Sequence, residues 1–137
     1  MKLRRWTPLL FSSPKSYVEE SEFWADIEFE QWSDEEYEWV KDNWNGVRDF
    51  VQEPRTTYEK GEGDCEDYAL VAASVLVSRG RTDLHFAVVT SRVVPEHFVL
   101  YDADRERVYS SGTIHEKPLD EYVAGSRYKR STSRQIA

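Results

Sequence analysis

Hydrophobic positions along the chain fall into three patterns. In the first, Tyr37, Val40, Trp44, Val47 and Val51 recur at spacings of three and four, which predicts an amphipathic helix over 34–52. Ser33 followed by Glu36 is a capping box at its start, Pro54 limits it, and Gly46 weakens its interior. In the second, Tyr68 to Val77 is apolar almost all round, so the helix that contains it is central and buried. Asp64 caps that helix, Cys65 sits in its first turn and Gly80 closes it. The third pattern is β-rich. HFAVVTSRVV (85–94) and HFVLYD (97–102) flank Pro95-Glu96, and a turn at ADRE leads into RVYSS (107–111), predicting a three-stranded antiparallel meander. PLDEYV (118–123) reads as one or two helical turns, SRYKRSTS (126–133) as a final strand and EPRTTYEKGEG (53–63) as a loop. Residues 1–31 show no clear period and read as an irregular arm with room for one short helix, ahead of a domain over 32–137. The order of helix, helix, then strands predicts a single α+β domain, with a buried helix packed on an antiparallel sheet.

Composition agrees with one packed core. The chain has 137 residues, 14% of them aromatic, with five Trp and eight Tyr, which a disordered chain would lack. Its net charge is −8, from 26 acids against 18 Lys and Arg, which argues against a nucleic-acid partner. The acid is concentrated in EESEFWADIEFEQWSDEEYE (19–38) and reads as a solvated face, whereas SRYKRSTSR (126–134) is basic. Arg outnumbers Lys two to one, and with so much acid this hints at a salt-loving source. The N-terminal MKLRRWTPLLFSSPKSY is only briefly apolar, and no later run is long enough to span a membrane, so a soluble, cytoplasmic protein is expected. The single cysteine forms no internal disulfide, and one Cys with three scattered His lacks zinc-ligand spacing.

The lone Cys65 lies behind the turn GEGD. A thiol attacks as the thiolate, and its unperturbed pKa is about 8.5. A helix N-terminus favours ionisation, while Asp64, Glu66 and Asp67 oppose it by like-charge repulsion. A nearby imidazole would complete a thiolate–imidazolium pair. Of the three histidines, His85 opens a strand, His115 lies in the polar loop TIHEKP, and His97 opens the middle strand just after a turn.

PRTTYEKGEGDCEDYA (54–69), followed by an apolar helix, a strand and VPEHFVLYD (94–102), resembles the transglutaminase-like cysteine proteinases, the bacterial papain-like branch of the transglutaminase superfamily. The resemblance covers about residues 37–130. It implies a papain/transglutaminase-like core, with Cys65 as nucleophile and His97 as general base. It further implies a protein or peptide substrate, cleaved at peptide or isopeptide bonds through an acyl-enzyme. Transfer of the acyl group to a lysine amine is the variant reaction, and water is the default acceptor. The chemistry requires no cofactor. Some relatives bind calcium through the acids flanking the nucleophile, here Asp64 and Glu66. An ordinary helix start also accounts for both acids.

Two positions depart from the family pattern. The family's third residue is an Asp on the next strand. Folding HFVLYDADRERVYSSG as a hairpin puts Ser111 in that place, where a hydroxyl orients the ring without supplying charge. Asp102 is the nearest substitute, but alternation turns it to the opposite face. The stretch before the Pro-containing loop reads FVQEP where relatives often carry Trp, which makes Gln52 a candidate oxyanion donor beside the Cys65 backbone N–H. A rival reading follows from the missing aspartate: the same fold kept as a binding or scaffold module with an idle nucleophile.

Overall fold

The helix that is apolar on every side is walled in by helices from before it and strands from after it. In the computed structural model, which describes residues 14–40, 52–92 and 96–136, three short helices come first: α1 (Pro14–Tyr17), α2 (Glu22–Ala25) and α3 (Phe29–Glu35). Then follow β1 (Glu38–Trp39), α4 (Pro54–Lys60), β2 (Glu62–Gly63) and the long helix α5 (Cys65–Ser78). The chain continues through β3 (Leu84–Thr90), β4 (His97–Asp102), β5 (Arg107–Ser110), β6 (Thr113–His115), α6 (Leu119–Ala124) and β7 (Arg130–Gln135).

Five strands form one antiparallel sheet in the order β6-β5-β4-β3-β7, while β1 and β2 make a small parallel pair. Strand alternation gives the large sheet two apolar faces. Phe86, Val88, Phe98, Leu100 and Tyr109 face α5, and with it they make the main core. Ala87, Val89, Val99 and Val108 face the other way, beneath Tyr122 of α6. The predicted meander and the α+β class both stand in the structure, which has a papain-like core. Among the described residues, no helix is long and apolar enough to cross a membrane.

The acidic stretch has two sides. Trp24, Ile27, Phe29 and Trp32 are buried in the main core, while Glu22, Asp26, Glu28 and Glu30 stay exposed. What the sequence reads as an irregular arm is, over residues 14–31, a set of short helices packed on α5. Hydrogen bonds fasten it: Glu19 N–H to Ser74 Oγ (3.0 Å), Ser21 N–H to Ser78 Oγ (3.0 Å), and the Arg79 guanidinium to the carbonyls of Ala25 and Ile27. Short turns of this kind carry little periodicity, so the pattern of burial hides from a sequence reading.

Four further expectations need correction. The helix expected over 34–52 is not there in its described part: α3 ends at Glu35 and residues 38–39 are extended, while 41–51 lie outside the described residues. Tertiary pairing overrides the local period, because Glu38 and Val40 donate their N–H groups to the carbonyls of Gly61 and Gly63 (2.8 and 3.0 Å). Ser33, expected as a cap, is inside α3 and shares a 2.7 Å hydrogen bond with the Tyr68 phenol. The loop expected at 53–63 contains α4, with Pro54 in its first turn and Gly61 closing it at φ +71. His115, expected in a loop, lies on β6.

Candidate active site

Cys65 is the first residue of α5, and a reciprocal capping box builds that helix end. The Asp67 N–H donates to Asp64 Oδ1 (3.2 Å), and the Asp64 N–H donates to Asp67 Oδ2 (3.1 Å). Gln52 braces the box from outside: its N–H donates to Asp67 Oδ1 (2.8 Å), and its amide donates towards Asp67 Oδ2 (3.2 Å), Thr57 Oγ1 (3.1 Å) and the Glu62 carbonyl (3.2 Å). Those contacts use up the donors of Gln52, so it is a structural brace and not the oxyanion donor expected of it. Gly63 makes the tight turn possible, because a Cβ there would lie 2.7 Å from the Asp67 Cβ. Tyr37 locks the same turn by donating to the Gly63 carbonyl (2.8 Å).

The start of β4 abuts this helix end, and the Phe98 backbone amide reaches the Cys65 sulfur. His97 is therefore the next residue along from a group that touches the thiol. Its ring stacks on Tyr128 with centroids 6.0 Å apart and planes 11° apart. Its Nε2 lies 2.7 Å from Ser110 Oγ, which in turn lies 3.2 Å from the Tyr122 hydroxyl. Nε2 is engaged there, which leaves Nδ1 outside this hydrogen bond.

Ser110, not Ser111, is thus the residue that holds the ring. Leu100 pairs with Tyr109 and Tyr101 with Val108, so Val108 and Ser110 alternate onto the sheet face that carries Val99 and His97. Ser111 has already left the strand at φ +37, with its hydroxyl buried beside Tyr37. Asp102 is not the third residue either: it is fully buried on the other face and receives hydrogen bonds from the Arg105 backbone (3.1 Å) and guanidinium (2.9 Å).

The resting charge state differs from the expected ion pair. Cys65 keeps some surface, yet its sulfur is enclosed and donates to Glu66 Oε2 at 3.2 Å. Burial, then the Glu66 and Asp64 carboxylates, push the thiol well above its ordinary pKa. The helix end and the Phe98 amide do not outweigh them. Burial also lowers His97 to about 4, with His115 acting in the same direction. At rest, then, the Cys65 thiol and the His97 imidazole are both neutral. Burial and mutual repulsion raise Asp64 to about 10 and Glu66 to about 7, and burial raises Asp67 too.

Asp64 and Glu66 are close enough to hydrogen-bond one another, and so offer two hard oxygen donors. Among the described residues, no three ligating side chains converge into a ready-made metal cage. The pair matches calcium in donor chemistry, and any remaining ligands would have to come from backbone or water.

The hairpin reading brings Ser110 as well as Ser111 opposite His97 but chooses Ser111, and it misses the parts played by Tyr122, Tyr128 and Tyr37. Strict alternation from Val108 would have found Ser110. The three tyrosines come from separate elements, and only the tertiary fold brings them in.

A buried helix with a cysteine at its N-terminus, laid on an antiparallel sheet whose central strand opens with histidine, is the transglutaminase-like arrangement. Among solved structures, the calcium-bound LapG of Legionella pneumophila is similar to this chain, with a TM-score of 0.52 and 20% sequence identity. The match covers 83% of this chain and spans 65% of that one. It supports a distant transglutaminase-like fold. No family profile and no curated protein matches the chain.

Proposed function

We propose that this protein catalyses cysteine-dependent acyl transfer on amide bonds, with hydrolysis of peptide or isopeptide bonds as the reaction. The observation that carries this reading is the meeting of the Cys65 helix end with the start of β4 at His97-Phe98, where a hydroxyl holds the imidazole through Nε2. Because thiol and imidazole rest neutral, the proton moves when substrate arrives: His97 Nδ1 accepts it as the sulfur attacks the carbonyl carbon. The Cys65 backbone N–H, unpaired within the helix, is placed to donate to the developing oxyanion. The imidazolium returns its proton to the leaving amine. Water, deprotonated by the same ring, then releases the acid and regenerates the thiol.

Calcium enters this reading through Asp64 and Glu66, which would hold it. Its positive charge would offset the repulsion that raises both carboxylates and the thiol between them. LapG was solved with calcium bound, which supports calcium as a ligand in this reading.

The rate of Cys65 alkylation by iodoacetamide at pH 7, in wild type and His97→Ala, tests the pair, and hydrolysis of an unfolded protein substrate tests the reaction. Alkylation at least about 10-fold slower in His97→Ala is expected, within the range for a general base. One observation favours a second reading, a binding module: carboxylates surround the thiol and raise its pKa, which opposes reactivity. Equal, sluggish alkylation of both variants would establish that reading instead.

A further inference from the structure

We propose that Tyr122 is a positioning residue for the His97 base, acting through Ser110, so that two neutral hydroxyls stand where a triad carboxylate would be. The inference rests on the assignment of His97 as the base. Its starting point is the continuous chain from His97 Nε2 to Ser110 Oγ (2.7 Å) and on to the Tyr122 hydroxyl (3.2 Å).

A serine alone is a poor partner for an imidazolium. Once the ring takes the thiol proton on Nδ1, both ring nitrogens are donors, so Nε2–H must donate to Ser110 Oγ. The single serine proton must then point elsewhere and find an acceptor. The Tyr122 oxygen is that acceptor, and it is fixed in place: Tyr122 is buried against the second sheet face and its ring lies 5.0 Å from that of His115. The phenol keeps its own proton because burial raises its pKa. The chain therefore carries hydrogen-bond polarity away from the ring without carrying charge. Tyr128, stacked on the other side, limits the ring's tilt. Among the described residues, the titratable groups in contact with the ring or its hydroxyl chain, or acting on its charge, are Tyr122 from α6, Tyr128 from the segment before β7 and His115 from β6, and Cys65 of α5 acts on both tyrosines. None of these is a carboxylate that would do the work of the hydroxyl pair.

The test measures Cys65 alkylation by iodoacetamide at pH 7 and the His97 ring 15N resonances, in Tyr122→Phe, Ser110→Ala, Ser110→Asp and Ser110→Asp/Tyr122→Phe. Thermal denaturation confirms that each variant is folded. Phenylalanine keeps the packed ring and removes only the oxygen. Tyr122→Phe should slow alkylation about 2- to 10-fold, the worth of one neutral hydrogen bond, and shift the Nε2 resonance. Ser110→Ala should slow it at least as much. In the Ser110→Asp background a carboxylate faces the ring directly, so the further loss on adding Tyr122→Phe should shrink to less than about 2-fold. A merely structural Tyr122 would give the same loss in both backgrounds and leave the resonance in place. Either result would overturn the proposal. Absence of peptide hydrolysis in wild type would count against the enzymatic reading alone, because alkylation and the 15N signal need no substrate.

Discussion

Glu66 sits 3% exposed with Oε2 3.2 Å from the Cys65 sulfur, and no basic side chain among the described residues answers it. Burial, then Asp67, raise it from 4.5 to about 7. The folded state thus favours the protonated acid, so its stabilising effect is complete below pH 4.5 and is lost as pH rises through about 7. At about 1.4 kcal/mol per unit, the ionised carboxylate costs about 3 kcal/mol by pH 8 and about 1 kcal/mol at pH 5. Glu66→Gln keeps the shape and removes the charge. Urea denaturation in EGTA at both pH values should show the variant more stable than wild type by about 2–3 kcal/mol at pH 8, with the gap falling to about 1 kcal/mol at pH 5. Cys65 should also alkylate faster in the variant, because the second-largest cause of its raised pKa is gone. A variant no more stable than wild type at pH 8 would refute the reasoning, since the carboxylate would then have a compensating partner.

Three other expectations follow from the same structure. Trp24→Ala empties a fully buried site between α2 and α5 and should lower stability by about 3–5 kcal/mol, read as a fall in urea midpoint. Gly63→Ala drives a Cβ into Asp67 and breaks the capping box, so a loss of about 1–2 kcal/mol is expected, together with an altered Cys65 alkylation rate. His97, lowered from 6.5 to about 4, takes up a proton on unfolding between those values, so stability falls as pH drops through that window. His97→Asn should remove that component of the slope in urea titrations from pH 7 to pH 4.

Much of the site was legible because its parts have local signatures. Asp64 caps α5 through its own neighbour Asp67, three residues on, so the sequence displays both halves of the box. Cys65 then falls in the first turn by counting, and His97 at the head of β4 by the turn before it. The partners of the ring were harder. Choosing between Ser110 and Ser111 depends on where β5 ends, and a strand end is set by tertiary pairing with β6 more than by side-chain propensity. Tyr37 was placed in a helix because its spacing to Val40 and Trp44 is helical, yet its phenol is drawn to the Gly63 carbonyl across a contact that no local window contains. The charge state was misread for a further reason. Sequence shows the acids beside Cys65, but the extent of burial that sets thiol and imidazole back to neutral appears only when the sheet is laid against the helix.

The apolar surround of α5 bears on how the chain acquires its shape during synthesis. Its walls come from both directions: Trp24, Phe29 and Trp32 leave the ribosome before it, Phe98, Leu100 and Tyr109 after it. The strand that brings His97 and Phe98 to the thiol emerges some thirty residues behind Cys65, and the pairing of β3 with β7 later still. Until those strands arrive, one side of the helix has nothing to pack on. A nascent chain halted near residue 90 would carry Cys65 without His97 and would display an oily flank to chaperones, so the two residues meet only once β4 has been made.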